Sequence, residues 1–182
     1  MVQWGFECDN SRAGTGLKER KLFKTNLDRD TAERHRKEGL DPHISVSEAR
    51  KSTSDYFAKL YTHIEQLMKD QGQGWQDKAV EFVFTTPTTW TSQDTINEFR
   101  KAYEEAGFGR SNGKNHTVYR GLSEAEAVAV HTVVQGQVVC EKDDVILICD
   151  AGGGTTDLAL VRVTEQTKST ATPTKTWPTV KA

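Results

Sequence analysis

The residues best suited to chemistry lie between Val145 and Val161, where an apolar run meets three glycines bracketed by aspartates. Asp150 precedes Gly152, Gly153 and Gly154, and Thr155, Thr156 and Asp157 follow. Glycines have no β-carbon, so the backbone can turn sharply and bring its amide groups against an anion. Carboxylates at Asp150 and Asp157 add hard oxygen donors, the type that holds a divalent cation through its water shell. The pattern predicts a turn that binds phosphate beside a cation. The plainer alternative is an ordinary glycine-rich hairpin.

Two better-known glycine loops do not fit. A Walker loop needs a lysine and a hydroxyl residue after its last glycine, and Thr155, Thr156 and Asp157 stand there instead. The dinucleotide fingerprint needs a glycine at position 157 followed by a helix, whereas Asp157 is followed by Leu158 to Val163, a second strand by pattern. Val145 to Cys149 is short, branched and bounded by charge and glycine, which predicts a buried strand with Cys149 in its core and Asp150 at its carboxyl end.

The elements that must carry this turn follow from periodicity. Ser45 and Glu48 form a capping-box pattern, and Tyr56, Phe57, Leu60, Tyr61, Ile64, Leu67 and Met68 recur at helical spacing until Gly72 and Gly74. Val80 to Thr86 predicts a strand stopped by Pro87, with Thr88 to Trp90 as a loop. A second helix is expected from about Thr91, with Ile96, Phe99, Ala102, Tyr103 and Ala106 on one face and Gly107 as its stop. His116 to Tyr119 predicts a brief strand, and Ser123 opens a third helix that turns Val128, Val130, Val133 and Val134 inward and closes at Gly136. Trp4 to Cys8 alternates weakly as a short strand, and Asp9 to Pro42 is polar and shows no clear element. Alternating helices and strands predict an α/β fold.

With 182 residues the chain can bury one sizeable core. A net charge of −2, with the basic residues between Lys18 and Lys24 followed by acids, offers no stripe for nucleic acid. Cys8, Cys140 and Cys149 are odd in number and lack metal spacing, which predicts a reduced intracellular protein. No apolar run has the length of a membrane span, and the first ten residues lack the basic and apolar regions of a signal peptide. The expected location is the cytoplasm, with no membrane and no nucleic acid as partners.

Glu124 and Glu126 fall in the first turn of the third helix, where free backbone amides favour carboxylates; Ser123 with Glu126 is itself a capping-box pattern. Taken together, Phe82 to Thr95, Leu122 to Val130 and Asp150 to Asp157 resemble, in order and spacing, consecutive parts of the nucleotide-binding domain of the seventy-kilodalton heat-shock chaperones. Trp4 to Phe6 and Lys21 to Asp28 are closer to a divergent chaperone-like branch abundant in fungi. The likeness spans Trp4 to about Val163. The glycine hairpin carries the actin-like ATPase superfamily, while the strand before Pro87 and the helix holding Glu124 point to the chaperone branch.

The resemblance implies a partial actin-like ATPase (ribonuclease H-like) fold, the first lobe plus the opening β-hairpin of the second. Residues 1–141 would form the partial first lobe, 142–164 the phosphate-binding hairpin and 165–182 a loose tail. It implies ATP or ADP with magnesium as cofactors, Asp150 at the metal through water, and Gly152, Gly153, Gly154 and Thr155 around the terminal phosphates. Glu124 and Asp157 would be the catalytic pair that faces the attacking water, and Pro87 would couple nucleotide state to a substrate domain. Protein partners or co-chaperones are implied as well. Ala125 stands where the family has proline, and Thr88, Thr89 and Trp90 replace its usual alanine and aromatic pair, departures that fall at the positions of the family's coupling. The family's first phosphate loop, with its lysine, and its adenosine pocket have no counterpart in this sequence.

A hydrogen bond to a charged phosphate contributes about 1.5 to 3 kcal/mol, so a few of them from one hairpin barely offset the ~4 to 15 kcal/mol cost of association. Weak or absent nucleotide binding and no useful ATPase activity are therefore expected. The alternative is a noncatalytic protein-interaction module on a degenerate actin-like lobe. A sugar kinase of the same superfamily fits less well, because no sugar-binding pattern accompanies the glutamate helix.

Overall fold

The structure, a computed structural model, describes residues 4–5, 20–39, 44–75, 78–109, 115–135, 140–151, 156–165 and 179–181. The chain is mixed α/β. It divides into two compact units, Met1–Val83 with Ser92–Tyr119, and Phe84–Thr91 with Arg120–Ala182.

In the first unit a 3-10 turn, Thr25–Leu27, leads into helix α1, Arg29–Lys37. The polar stretch from Asp9 to Pro42 thus holds an element that its lack of apolar periodicity concealed. Its signals are electrostatic. Asp28 caps the helix by accepting from the Thr31 N–H (2.9 Å), Asp30 sits in the first turn, and Arg34 to Lys37 fill the last. Helix α2, Val46–Asp70, opens on the expected capping box: the Ser45 hydroxyl accepts from the Glu48 N–H and the Glu48 carboxylate accepts from the Ser45 N–H. Its buried face is Ala49, Ser52, Thr53, Ser54 and Phe57, whereas Leu67 of the expected stripe is exposed. Small residues in the first half allow close approach of neighbouring elements, and the Thr53 hydroxyl is satisfied by the Ala49 carbonyl (2.8 Å).

Helix α3, Gln93–Glu105, buries Thr95, Phe99, Ala102 and Tyr103. It ends in a Schellman motif: the Phe108 N–H donates to the Tyr103 carbonyl and the Gly107 N–H to the Glu104 carbonyl, with Gly107 at φ 101°. That turn delivers Phe108 to an aromatic core, its ring 5.0 Å from Tyr61 and from Phe82 and 6.0 Å from Phe57. Phe57 also meets Phe99 edge-on at 5.6 Å, and Arg50 of α2 bridges Glu98 (3.1 Å) and Glu105 of α3. Gly109 allows the chain to pass Val118, since a β-carbon there would stand 2.8 Å from the Val118 Cγ2 atom.

Strand β1, Val80–Thr86, lies as expected, and β2, His116–Ser123, runs four residues beyond the expected Tyr119. They form a small parallel sheet with α3 as the crossover. Both strands begin in the first unit and end in the second.

In the second unit helix α4, Glu124–Val134, precedes β3, Val145–Ala151, β4, Thr156–Glu165, and β5, Thr179–Lys181. The three strands form an antiparallel sheet in the order β3-β4-β5. The segment expected as a loose tail therefore ends in a strand; residues 166–178 lie outside the described ones. Helix α4 lies against all three strands, and Ala125 and Ala129 pack with Ile148, Ala159 and Val161, with Ile146 at the margin.

Three expectations for this unit change. Val128 is exposed while Ala125 and Ala129 face the sheet, because a methyl-sized side chain lets the helix approach the branched residues below. Cys149 is exposed rather than in the core. β3 is buried on one face only, leaving Val145, Leu147, Leu158 and Leu160 each more than half exposed. Val133 and Val134 side chains, Gly136, and residues 6–8 of the expected first strand lie outside the described residues.

Candidate functional site

The β3–β4 hairpin is launched by a tight turn. The Asp144 carboxylate accepts from the Glu141 N–H (2.7 Å), and Asp143 takes φ 73°. The Asp143 N–H then donates to the Val163 carbonyl (2.8 Å), and the Val163 N–H to the Asp144 carbonyl (2.9 Å). This fixes the register Ile146↔Val161, Ile148↔Ala159 and, at the glycine end, Asp150↔Asp157. Alternation along the strand puts Ile146, Ile148 and Asp150 on the α4 face and Val145, Leu147 and Cys149 on the other.

Asp150 is exposed at the end of β3, and its register partner also carries an acid. Paired positions in an antiparallel ladder have β-carbons about 4.5 to 5.5 Å apart, where like charges destabilise. Residues Gly152, Gly153, Gly154 and Thr155 and the Asp157 side chain lie outside the described residues, so the expected phosphate contacts fall there.

Glu124, half-buried, begins α4 immediately after β2. The turn is fixed by a reciprocal capping box: the Ser123 N–H donates to the Glu126 carboxylate (2.7 Å) and the Glu126 N–H to the Ser123 hydroxyl (3.1 Å). Ala125, at the position where the resembled family has proline, is buried against the sheet. The structure thus brings Asp150 and position 157 together as neighbours and places Glu124 on the helix covering the same sheet. Among the described residues no group of three or more His, Cys, Asp or Glu is arranged to hold a metal.

Pro87 follows β1, and its carbonyl accepts from the Trp90 N–H (3.1 Å), so Thr88 and Thr89 form a turn that buries Trp90. The Thr88 hydroxyl is buried without a hydrogen-bond partner. No described helix is long and apolar enough to cross a membrane.

Sequence reasoning missed the opposition of residues 150 and 157 as a pair. It was accessible: six residues lie between them, and an antiparallel turn closing between Ala151 and Thr156 aligns them necessarily. No protein-family model matches the chain, and no solved structure matches it.

Proposed function

We propose that the β3–β4 hairpin is one half of a nucleotide-phosphate site of the actin-like ATPase type, within a partial, chaperone-like ATP-binding protein. The register pairing of Asp150 with Asp157 at the mouth of the triple-glycine turn carries this reading. Two carboxylates opposed in a ladder cost stability unless a cation lies between or beside them. Magnesium is the ion such oxygen donors suit, bound through its retained waters and shared with phosphate oxygens. The donor set fits. Asp150 and Asp157 would hold hydrated magnesium, the amides of Gly152 to Gly154 and the Thr155 hydroxyl would take phosphate oxygens, and Glu124 would orient water from the capped start of α4. Phosphoryl transfer to water relies on such positioning and charge stabilisation. Pro87 would be the coupling position.

This half-site grips only the phosphates, so isolated affinity for ATP or ADP is weak. Titration calorimetry of the chain with ATP, with and without magnesium, tests the assignment. Weak magnesium-dependent heat that Asp150→Asn removes supports it; heat unaffected by magnesium or by the substitution contradicts it.

A noncatalytic interaction module is the second reading, favoured by the exposed apolar face of Val145, Leu147, Leu158 and Leu160. A stable complex with a protein partner or co-chaperone, in a chain that ignores nucleotide, is its signature.

A further inference from the structure

We infer that the outer edge of β3 is a pairing surface for a second copy of this chain, which adds its own β3 antiparallel across a two-fold axis at Ile148. This inference is independent of the nucleotide assignment.

Among the described residues β3 is the edge of its sheet, with β4 on one side only. The bond from the Val163 N–H to the Asp144 carbonyl sets the alternation, so the main chains of Ile146, Ile148 and Asp150 face β4. Those of Val145, Leu147, Cys149 and Ala151 face outward, as a row of donors and acceptors that no described strand answers. Edges are ordinarily protected by proline, lysine, a bulge or shortness. Val145 to Ala151 has seven residues, no proline and no lysine, and its register with β4 is unbroken.

The occupant must satisfy charge as well as hydrogen bonding. When β3 is reversed on itself about Ile148, Leu147 stands opposite Cys149 and Val145 opposite Ala151, which joins apolar positions on the outer face. Asp150 then stands opposite Ile146. Sliding the pair by two residues, about Leu147, sets Asp150 opposite Asp144, a repulsive match. The symmetric register about Ile148 pairs all four outward-facing residues of each copy. It is isologous, so assembly closes at two. An edge pairing buries less than the ~1,000 Å² typical of a stable interface, which makes the dimer weak and concentration-dependent.

Sedimentation of the full chain from about 5 to 500 µM, a span suited to weak pairing, is expected to carry the mass from 20.3 kDa toward twice that value. Leu147 and Cys149 are both exposed, so changing them leaves the sheet's packed face intact. L147E/C149E places like charges opposite one another at two sites and is expected to weaken the dimer about tenfold or more, while L147E/C149K places opposite charges there and restores it. Leu147→Cys is expected to give an oxidised, covalent dimer with the partner's Cys149, since paired Cα atoms about 5.5 Å apart fit a disulfide. A chain that stays monomeric throughout, open-ended oligomers, or a dimer indifferent to both double variants would overturn the inference.

Discussion

Asp150 stands opposite Asp157 across the β3–β4 ladder, at the end of β3 that precedes the three glycines in sequence. A like-charge pair in that position is an electrostatic cost that a bound cation would remove. With a chelator present, Asp150→Asn should raise the hairpin's stability by about 0.2 to 1 kcal/mol. Millimolar magnesium should raise the melting temperature of the natural chain and leave that of the variant unchanged. Thermal unfolding with and without magnesium measures both effects.

The chain alone should show no magnesium-dependent ATP turnover above the buffer rate in a phosphate-release assay. A hairpin that would contact only phosphates cannot both bind a nucleotide firmly and position its water. Turnover lost in Asp150→Asn would contradict this.

Asp28 links two helices of the first unit, accepting from the Thr31 N–H at the start of α1 and from the Thr95 hydroxyl of α3 (3.1 Å). Burial pushes its carboxyl up, but the hydrogen bonds from Thr31 and Thr95, with help from Arg34, outweigh that and hold it below its ordinary value of 3.8. A depressed carboxyl stabilises the fold above its unfolded pKa, and this contribution disappears as pH falls through the lower folded value. Acid titration below about pH 4 should therefore destabilise the natural chain more than Asp28→Asn, which keeps a capping oxygen but does not titrate. Asp28→Ala should cost about 0.5 to 2 kcal/mol at neutral pH by denaturant unfolding.

Ser123 and Glu126 tie down the first turn of α4 reciprocally, in a helix whose second residue is Ala125. Ser123→Ala should cost about 0.5 to 2 kcal/mol, and Ser123→Asp, which keeps a capping oxygen, should recover most of it. Hydrogen exchange at the Ala125 to Val128 amides reports the loss directly.

His116 is buried among Trp75 and Phe82, with Nε2 3.3 Å from the Trp75 carbonyl and Nδ1 3.5 Å from the Tyr61 hydroxyl. His116→Phe keeps the ring and removes one of two donors to that carbonyl, which still accepts from the Lys78 N–H (3.1 Å), so about 0.5 to 1.5 kcal/mol should be lost in urea unfolding.

Local signals were sufficient wherever a short stretch of chain decides its own structure. Ser45 with Glu48 announced α2, and Gly107 marked the end of α3 because only a residue tolerant of positive φ closes that turn. Asp150, the glycines and Asp157 announced a hairpin. Helix α1 was harder to see, since its stability comes from Asp28 and terminal charges instead of an apolar stripe. What the sequence could not assign was which side of each apolar element meets a neighbour. Val128 and Ala129 are adjacent, and Leu147 and Ile148 are adjacent, yet only Ala129 and Ile148 are buried. Hydrophobicity ranks these residues in the wrong order for α4, because the close approach of helix to sheet selects small size. The outer leucines of β3 and β4 look like core in the sequence, and no described element covers that face. Residue type and spacing thus determined most of the elements and the pairing of β3 with β4. Tertiary packing alone decided which faces close, since burial depends on the partner surface and not on the residue itself.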